Sequence, residues 1–306
     1  MSFTALFPGQ GSQAVGMAGA LAEHSPAARA VLDEAEATLP GLTGLMQDGP
    51  IEELTLTANQ QPALVTAGIA AWRAWLEAGG PQPVAAAGHS LGEFSALVAS
   101  GALSLVDALR LVRSRGEFMQ EAVPEGTGAM AAVMKLDPAA IERVLEQVTG
   151  IVAIANLNSP AQTVISGESV AVASANEALK AAGARVIPLK VSAPFHCPLM
   201  QDAADRLAPL LEATGFKDPA FPVISNVTAR AAARAELPSL LTQQVTGRVR
   251  WVETMTNLAD SPVDTFIEFG SGQVLSGLVT RTLSGVRVAS VTDPASLRAA
   301  LAMVNA

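Results

Sequence analysis

The sequence predicts an α/β protein, with a parallel sheet that carries a nucleophile elbow and a small β-α-β-β-α-β unit inserted in it. Three observations carry this. The chain has 306 residues, half of them hydrophobic and only 15% charged, which suits a large buried core with room for two subdomains. A small-residue apolar run, Val84-Ala85-Ala86-Ala87, ends in Gly88-His89-Ser90-Leu91-Gly92, and Leu91, Phe94, Leu97 and Val98 follow at helical spacing. Strand, sharp turn and helix is the arrangement that lifts a serine hydroxyl above a sheet edge. The middle of the chain then reads as strand 128–136, helix 138–148, strands 151–157 and 162–166, helix 168–182 and strand 185–191. That order is the ferredoxin-like one.

In chain order, Phe3-Thr4-Ala5-Leu6-Phe7 is a core strand running into Pro8-Gly9-Gln10-Gly11-Ser12-Gln13. Gly9, Gly11 and Ala14 fit a dinucleotide fingerprint. That fingerprint also needs an acid at the end of a second strand about 20 residues on. Here Asp33, Glu34 and Glu36 sit in an alanine-rich helical stretch, 27–39, so the turn is better used to present the Gln10 amide. Gln60-Gln61-Pro62 opens a helix with Pro62 near its first turn. That helix carries Trp72 and Trp75 and ends at Gly79-Gly80. At the elbow, Gly88 and Gly92 leave room for neighbouring backbone. The Leu91 amide points to where an oxyanion would form, at the positive end of a helix. Another helix covers 104–119, with Arg115 beside Gly116 near its C-terminal end. After the inserted unit come the loop 192–198, a helix 199–212, strands 221–225 and 264–269, a helix from Gln273, a strand 286–291 and a last helix from Asp293-Pro294. The expected division is 1–125 with 194–306 as an α/β-hydrolase-like large subdomain, and 126–193 as the ferredoxin-like insert.

Composition excludes several classes. No apolar run reaches membrane-spanning length, and the N-terminus enters a core strand rather than a signal peptide. Cys197 is the single cysteine, which rules out an intrachain disulfide and a cysteine metal cluster. A cytoplasmic protein with no membrane partner, no metal and no cofactor is expected. The net charge of −9 argues against general nucleic-acid binding, and an acidic partner would need a local basic patch.

Ser90 needs a base, because a hydroxyl is barely ionised at neutral pH. Of the three histidines, His24 lies at a polar helix terminus and His89 adjoins Ser90 at a turn, where neighbours rarely face each other. His196 sits in a Pro-bounded loop after a strand and is the favoured base, a satisfied core histidine being its rival reading. An ordinary α/β-hydrolase order would put an acid between serine and histidine. Asp107, Asp137 and Glu168 lie in or at the start of helices, so the histidine orienter is not expected to be a carboxylate. Cys197 lacks an elbow or helix N-terminus and reads as packing.

In order along the chain stand Phe7-Pro8-Gly9-Gln10-Gly11-Ser12-Gln13, Gln61-Pro62-Ala63-Leu64, Gly88-His89-Ser90-Leu91-Gly92-Glu93, Arg115-Gly116-Glu117-Phe118-Met119-Gln120, Gly126-Thr127-Gly128-Ala129-Met130, Asn156-Leu157-Asn158-Ser159-Pro160, Phe195-His196-Cys197 and Glu268-Phe269-Gly270. Through them the chain resembles, essentially end to end, the bacterial malonyl-CoA:acyl carrier protein transacylases of fatty-acid synthesis. The resemblance implies ping-pong acyl transfer from malonyl-CoA to the phosphopantetheine thiol of an acidic acyl carrier protein. Ser90 would be the nucleophile and His196 its base. The amides of Gln10 and Leu91 would hold the oxyanion, and Arg115 the malonyl carboxylate. The backbone carbonyl of Gln244 would orient His196, and Gln61 and Asn156 match polar positions lining the cleft. Phe195 resembles the bulky residue of malonyl-selective relatives. The chain departs from the family where an Asn-Pro-Val-Gln-Trp-like run is replaced by Gly247-Arg248-Val249-Arg250-Trp251. A monomer is expected. Basic candidates for carrier docking are Lys180, Arg185, Lys190, Arg248 and Arg250. A serine esterase or thioesterase would use the same elbow without a reason for Arg115. A non-catalytic interaction protein would not need Ser90 and His196 together.

Overall fold

The computed structural model describes residues 2–124, 126–191, 193–259 and 263–305. Ser192, which opens the expected loop towards His196, lies outside the described residues, as do Met1, Glu125 and Ala306 at the expected boundaries.

Five strands form one parallel sheet: β1 (Thr4–Phe7), β2 (Ala85–Gly88), β7 (Val223–Ile224), β8 (Thr265–Phe269) and β9 (Arg287–Val291), in the order β7-β2-β1-β8-β9. Alternation along β1 decides what each face buries. Phe3, Ala5 and Phe7 join one apolar cluster while Leu6 joins another on the opposite face. Both faces are covered, which is why these strands read as nearly continuous apolar runs.

Helices α1 (Gly19–His24), α2 (Pro26–Thr38), α3 (Leu42–Asp48), α4 (Ile51–Thr55) and α5 (Thr57–Glu77) lie between β1 and β2, and α6 (Gly92–Ala99) and α7 (Leu105–Glu121) follow β2. The Ser25 and Ser104 side chains cap α2 and α7. Helix α5 is buried along most of its length, because α2, α7 and the sheet surround it. Its Trp72 and Trp75 pack edge-on against Phe269 and Phe3 at 5.2 and 5.4 Å. Such pairs are worth about 0.5–1.5 kcal/mol each beyond their buried area. The helix starts earlier than Gln60, so Pro62 lies inside it rather than in its first turn. The cause is close packing: a Cβ on Gly116 of α7 would meet Thr57 O and Ala58 Cα at 2.7 Å. Glycine there lets the two helices touch backbone to backbone.

The second sheet is antiparallel, ordered β4-β5-β3-β6, from β3 (Gly128–Met134), β4 (Val152–Ser159), β5 (Gln162–Glu168) and β6 (Arg185–Pro188). Helices α8 (Pro138–Leu145) and α9 (Ser169–Ala181) pack on it around their own apolar cluster, which includes Val133, Ile141, Ile165 and Val172. Strand β6 is shorter than 185–191 and ends on Pro188, with one further bond to β3 from Leu189 N to Met130 O at 2.9 Å.

After a 3₁₀ turn at Pro198–Met200, where the sequence suggested helix, come α10 (Gln201–Glu212), α11 (Leu237–Thr246), α12 (Trp251–Ala259), α13 (Val274–Thr282) and α14 (Pro294–Asn305). Sequence periodicity did not reveal α3, α4, α11 or α12. Among the described residues no helix is long and apolar enough to cross a membrane.

Candidate active site

All strands of the large sheet run one way, so their C-terminal ends share one edge. Gln10 follows β1, Ser90 follows β2 and Asn226 follows β7 at that edge. The elbow is tight. A Cβ on Gly88 would run into the Gly92 carbonyl group, and one on Gly92 into Phe7 O. Ser90 is held in the left-handed region, at φ 51°. Such a conformation costs about 1–3 kcal/mol and persists only where the surroundings over-determine it.

Ser90 Oγ lies 2.8 Å from His196 Nε2. His196 is itself left-handed, at φ 59°, and buried. Its Nδ1 lies 2.8 Å from Gln244 O and 3.1 Å from Gly247 O. Two carbonyl acceptors require the proton on Nδ1, which leaves Nε2 free to accept from Ser90. Burial, then the neighbouring Arg115 charge, depresses the imidazole to about 3. At neutral pH the ring is therefore a neutral acceptor.

The Arg115 side chain is only 1% exposed. Nη1 donates to Gln61 Oε1 at 2.8 Å, and Nη2 donates to Gln244 Oε1 at 3.0 Å and to Ser90 Oγ at 3.1 Å. The contact of α7 with α5 at Gly116 is what brings Arg115 beside Gln61. Among the described residues the buried Arg115 Nε has no partner. Burial lowers this guanidinium to about 10, so it stays charged at neutral pH.

Behind the nucleophile is a second layer that sequence reasoning did not assign. Glu93 Oε2 accepts from Asn226 N at 3.0 Å and from Gln244 Nε2 at 2.7 Å. Gln244 Nε2 also donates to Ser90 O at 3.0 Å. Asn226 Oδ1 accepts from Ser90 N, and its Nδ2 donates to Gly88 O, both at 2.6 Å. Burial lifts the Glu93 carboxyl to about 7, against hydrogen bonds from Asn226 and Gln244 and the Arg115 charge. Glu93 stood in the quoted elbow motif, and the usable signal for Asn226 was its place just past a short apolar strand.

A cleft of about 400 Å³ opens over this centre, lined by Gln10, Ser90, Asn156, Lys190, Phe195 and His196 among others. The Gln10 side chain is tied to Gln60 Oε1 at 2.6 Å. Among the described residues, neither the Gln10 nor the Leu91 backbone N–H has an intramolecular acceptor. Asn156 is buried in β4 and paired with Val249, inside the segment where the family run is replaced.

The other residues weighed from sequence are engaged elsewhere. His89 Nε2 lies 2.8 Å from Asn158 Oδ1, and its ring packs on Trp251. His24 is exposed at the end of α1. Cys197 is buried, its Sγ donates to Pro194 O at 3.0 Å, and burial pushes the thiol up. Glu268 accepts from Leu275 N and Ser276 N, closing the start of α13.

The pattern of the acyl transferase domain family matches residues 4–296. A malonyl CoA-acyl carrier protein transacylase of Bacillus subtilis (strain 168) is 48% identical over 302 residues, covering 97% of this chain and 95% of its own. A protein of the same name from Salmonella typhimurium is 45% identical, with 98% of each chain covered. A malonyl-transacylase solved in complex with a holo type II PKS acyl-carrier protein superposes with TM-score 0.96 at 46% identity, over 99% of this chain and 100% of that one.

Proposed function

The chain belongs to the acyl transferase domain family, and we propose that it carries malonyl from malonyl-CoA to the phosphopantetheine thiol of an acyl carrier protein through an ester on Ser90. The observation that carries this is the shared Ser90 Oγ, 2.8 Å from His196 Nε2 and 3.1 Å from a buried arginine. A base activates the hydroxyl, and a fixed cation stands where a short acyl chain would end.

Ser90 passes its proton to His196 Nε2 as Oγ attacks the thioester carbon. The oxyanion is received by the Gln10 and Leu91 N–H groups, the latter at the N-terminus of α6. The C–S bond then breaks and the coenzyme A thiolate takes the proton from His196. In the second half the carrier thiol gives its proton to His196 and attacks the ester, and Ser90 regains its hydrogen. The malonyl carboxylate sits two carbons from the ester carbonyl, so its partner must lie close to Ser90. Arg115 does, and its orphaned Nε is a buried donor for a carboxylate oxygen. The Gln244 and Gly247 carbonyls orient the histidine, Gln61 holds the guanidinium plane, and Asn156 lines the cleft. Phe195, at the cleft wall, crowds an α-branch on the acyl group.

The architecture supports a finer reading. The element order and antiparallel pairing around β3–β6 suit a ferredoxin-like insert over 126–193, within an α/β-hydrolase-like unit of 1–125 and 194–306. We place the enzyme in the cytoplasm as a monomer. The alternative raised from sequence, a serine esterase or thioesterase, finds no support, since relatives spanning nearly the whole chain are named transacylases. Incubation with radiolabelled malonyl-CoA tests the reading. Label should load on Ser90 and move to holo carrier protein. Release of free malonate with no carrier labelling would instead mark a hydrolase.

A further inference from the structure

We propose that Asn226 is a positioning residue for the nucleophile, holding the Ser90 peptide so that its hydroxyl meets His196 and the next N–H is left for the oxyanion. The inference rests on Ser90 acting as nucleophile. Ser90 lies in a left-handed conformation between two glycines whose missing side chains let neighbouring backbone close in on the turn. Its N–H is buried, and a buried donor needs a partner. The Asn226 side chain supplies one with Oδ1, and with Nδ2 it holds the carbonyl of Gly88, two residues earlier, both at 2.6 Å. One planar amide thus closes a ring across the turn.

The orientation of that amide is fixed. Flipped, it would set oxygen against the Gly88 oxygen and N–H against the Ser90 N–H. Asn226 cannot drift, because it is 1% exposed and its own backbone is held on both sides. Its N–H donates to Glu93 Oε2 at 3.0 Å, and its carbonyl accepts from Arg250 N at 3.0 Å. The Ser90 carbonyl is taken by Gln244 Nε2, and Gln244 is bonded to the same Glu93 oxygen. Both ends of the Ser90 residue are therefore referred to one carboxylate, and the same Gln244 presents its carbonyl to His196. Asn226 touches neither Ser90 Oγ nor His196, so its effect passes through the backbone.

Removing the clamp leaves the Ser90 N–H and the Gly88 carbonyl both buried and unpaired. The turn then relaxes by rotating the peptide, which swings Oγ off Nε2. A displacement of that order costs about 10²-fold in rate. The test uses Asn226→Ala, and Asn226→Asp, which keeps the acceptor for Ser90 N–H but sets an oxygen against Gly88 O. Three quantities are read on the full chain: covalent labelling of Ser90 by a fluorophosphonate, kcat and KM for malonyl transfer, and thermal unfolding. Labelling and kcat should both fall about 10²-fold in each variant, with KM for malonyl-CoA within about threefold and a cooperative transition retained. Near-normal labelling in either folded variant overturns the inference. So does loss of labelling only together with loss of the cooperative transition, which would make Asn226 a residue of stability alone. If the native enzyme itself is not labelled at Ser90, the catalytic reading fails and this inference fails with it.

Discussion

In Arg115→Ala, the ratio of malonyl to acetyl transfer separates recognition of the acyl group from the chemistry of transfer. Its guanidinium satisfies Gln61 Oε1, Gln244 Oε1 and Ser90 Oγ, and lies near the buried Glu93 carboxyl. Malonyl and acetyl differ by one carboxylate. Leaving that charge in the cleft without its partner costs about 3–5 kcal/mol, equivalent to roughly 10²–10⁴ in kcat/KM. Acetyl forfeits nothing of this kind. Because Nη2 also touches Ser90 Oγ, the ratio of the two rates, rather than either rate, isolates the carboxylate. The assay measures kcat/KM for malonyl-CoA and acetyl-CoA side by side, with holo carrier protein as acceptor. The malonyl-to-acetyl ratio should fall by about 10² or more in Arg115→Ala. Arg115→Lys should lie between, since an ammonium keeps the charge but cannot reach Gln61, Gln244 and the substrate as a planar fork does. Equal losses for both substrates would refute the assignment and leave Arg115 as a support of the elbow.

Ser90→Ala should abolish the malonyl adduct seen by mass spectrometry, and an adduct persisting on Cys197 would overturn the nucleophile assignment. Among the basic residues weighed for docking, Lys180, Arg248 and Arg250 are paired with Glu177, Glu142 and Glu253, whereas Lys190 lines the cleft. Lys190→Glu should therefore raise KM for the carrier protein at low salt while Lys180→Glu leaves it unchanged. The His196 imidazole is depressed from 6.5 to about 3, so over that window the unfolded chain binds a proton the folded one refuses. This contribution to stability is full above 6.5 and is lost as pH falls, and thermal unfolding of His196→Ala should show a shallower acid slope than the native chain. Glu93, at about 7, should take up a proton when the malonyl anion enters beside it. Calorimetry on Ser90→Ala near neutral pH, in buffers of different ionisation enthalpy, should detect that uptake with malonyl-CoA and not with acetyl-CoA.

What was legible in the sequence was what a short stretch of chain decides. The elbow is local: an apolar run, a serine between two glycines and a helical apolar spacing lie within about a dozen residues, and the strand, turn and helix followed. The antiparallel unit was legible for the same reason, since β4 and β5 are joined by a tight turn at Pro160-Ala161. Arg115 could be singled out beside Gly116, but not why that glycine mattered. The reason is the backbone of α5, far away in sequence. Asn226 was not singled out, because its place just past a predicted strand gave only its position, and its contact with Ser90 spans 136 positions. The short helices α3 and α4 carry too few turns for a periodicity to register, and Pro62 suggested a helix start where tertiary packing keeps a proline inside.

Ser90 and His196 both occupy left-handed backbone, a conformation each side chain resists. Beyond the Glu93 N–H that bonds the Ser90 carbonyl, the groups that hold them come from far away in sequence. Ser90 is clamped by Asn226 and Gln244, and His196 by two carbonyls at the end of α11 and just beyond it. The strain at both reacting groups is thus offset by a segment, Asn226 to Gly247, that follows a strand neighbouring the elbow strand. That arrangement explains how a hydroxyl and an imidazole 106 residues apart stay at 2.8 Å without a carboxylate behind the histidine. A carboxylate there would favour the imidazolium. Burial and the adjacent Arg115 charge favour the free base and outweigh the Gln244 and Gly247 carbonyls, which favour the imidazolium, so the ring is held in the form the first step of each half-reaction requires. The same cation that would read the substrate therefore also keeps the base unprotonated, so the charge selectivity and the basicity of the site cannot be changed independently at Arg115.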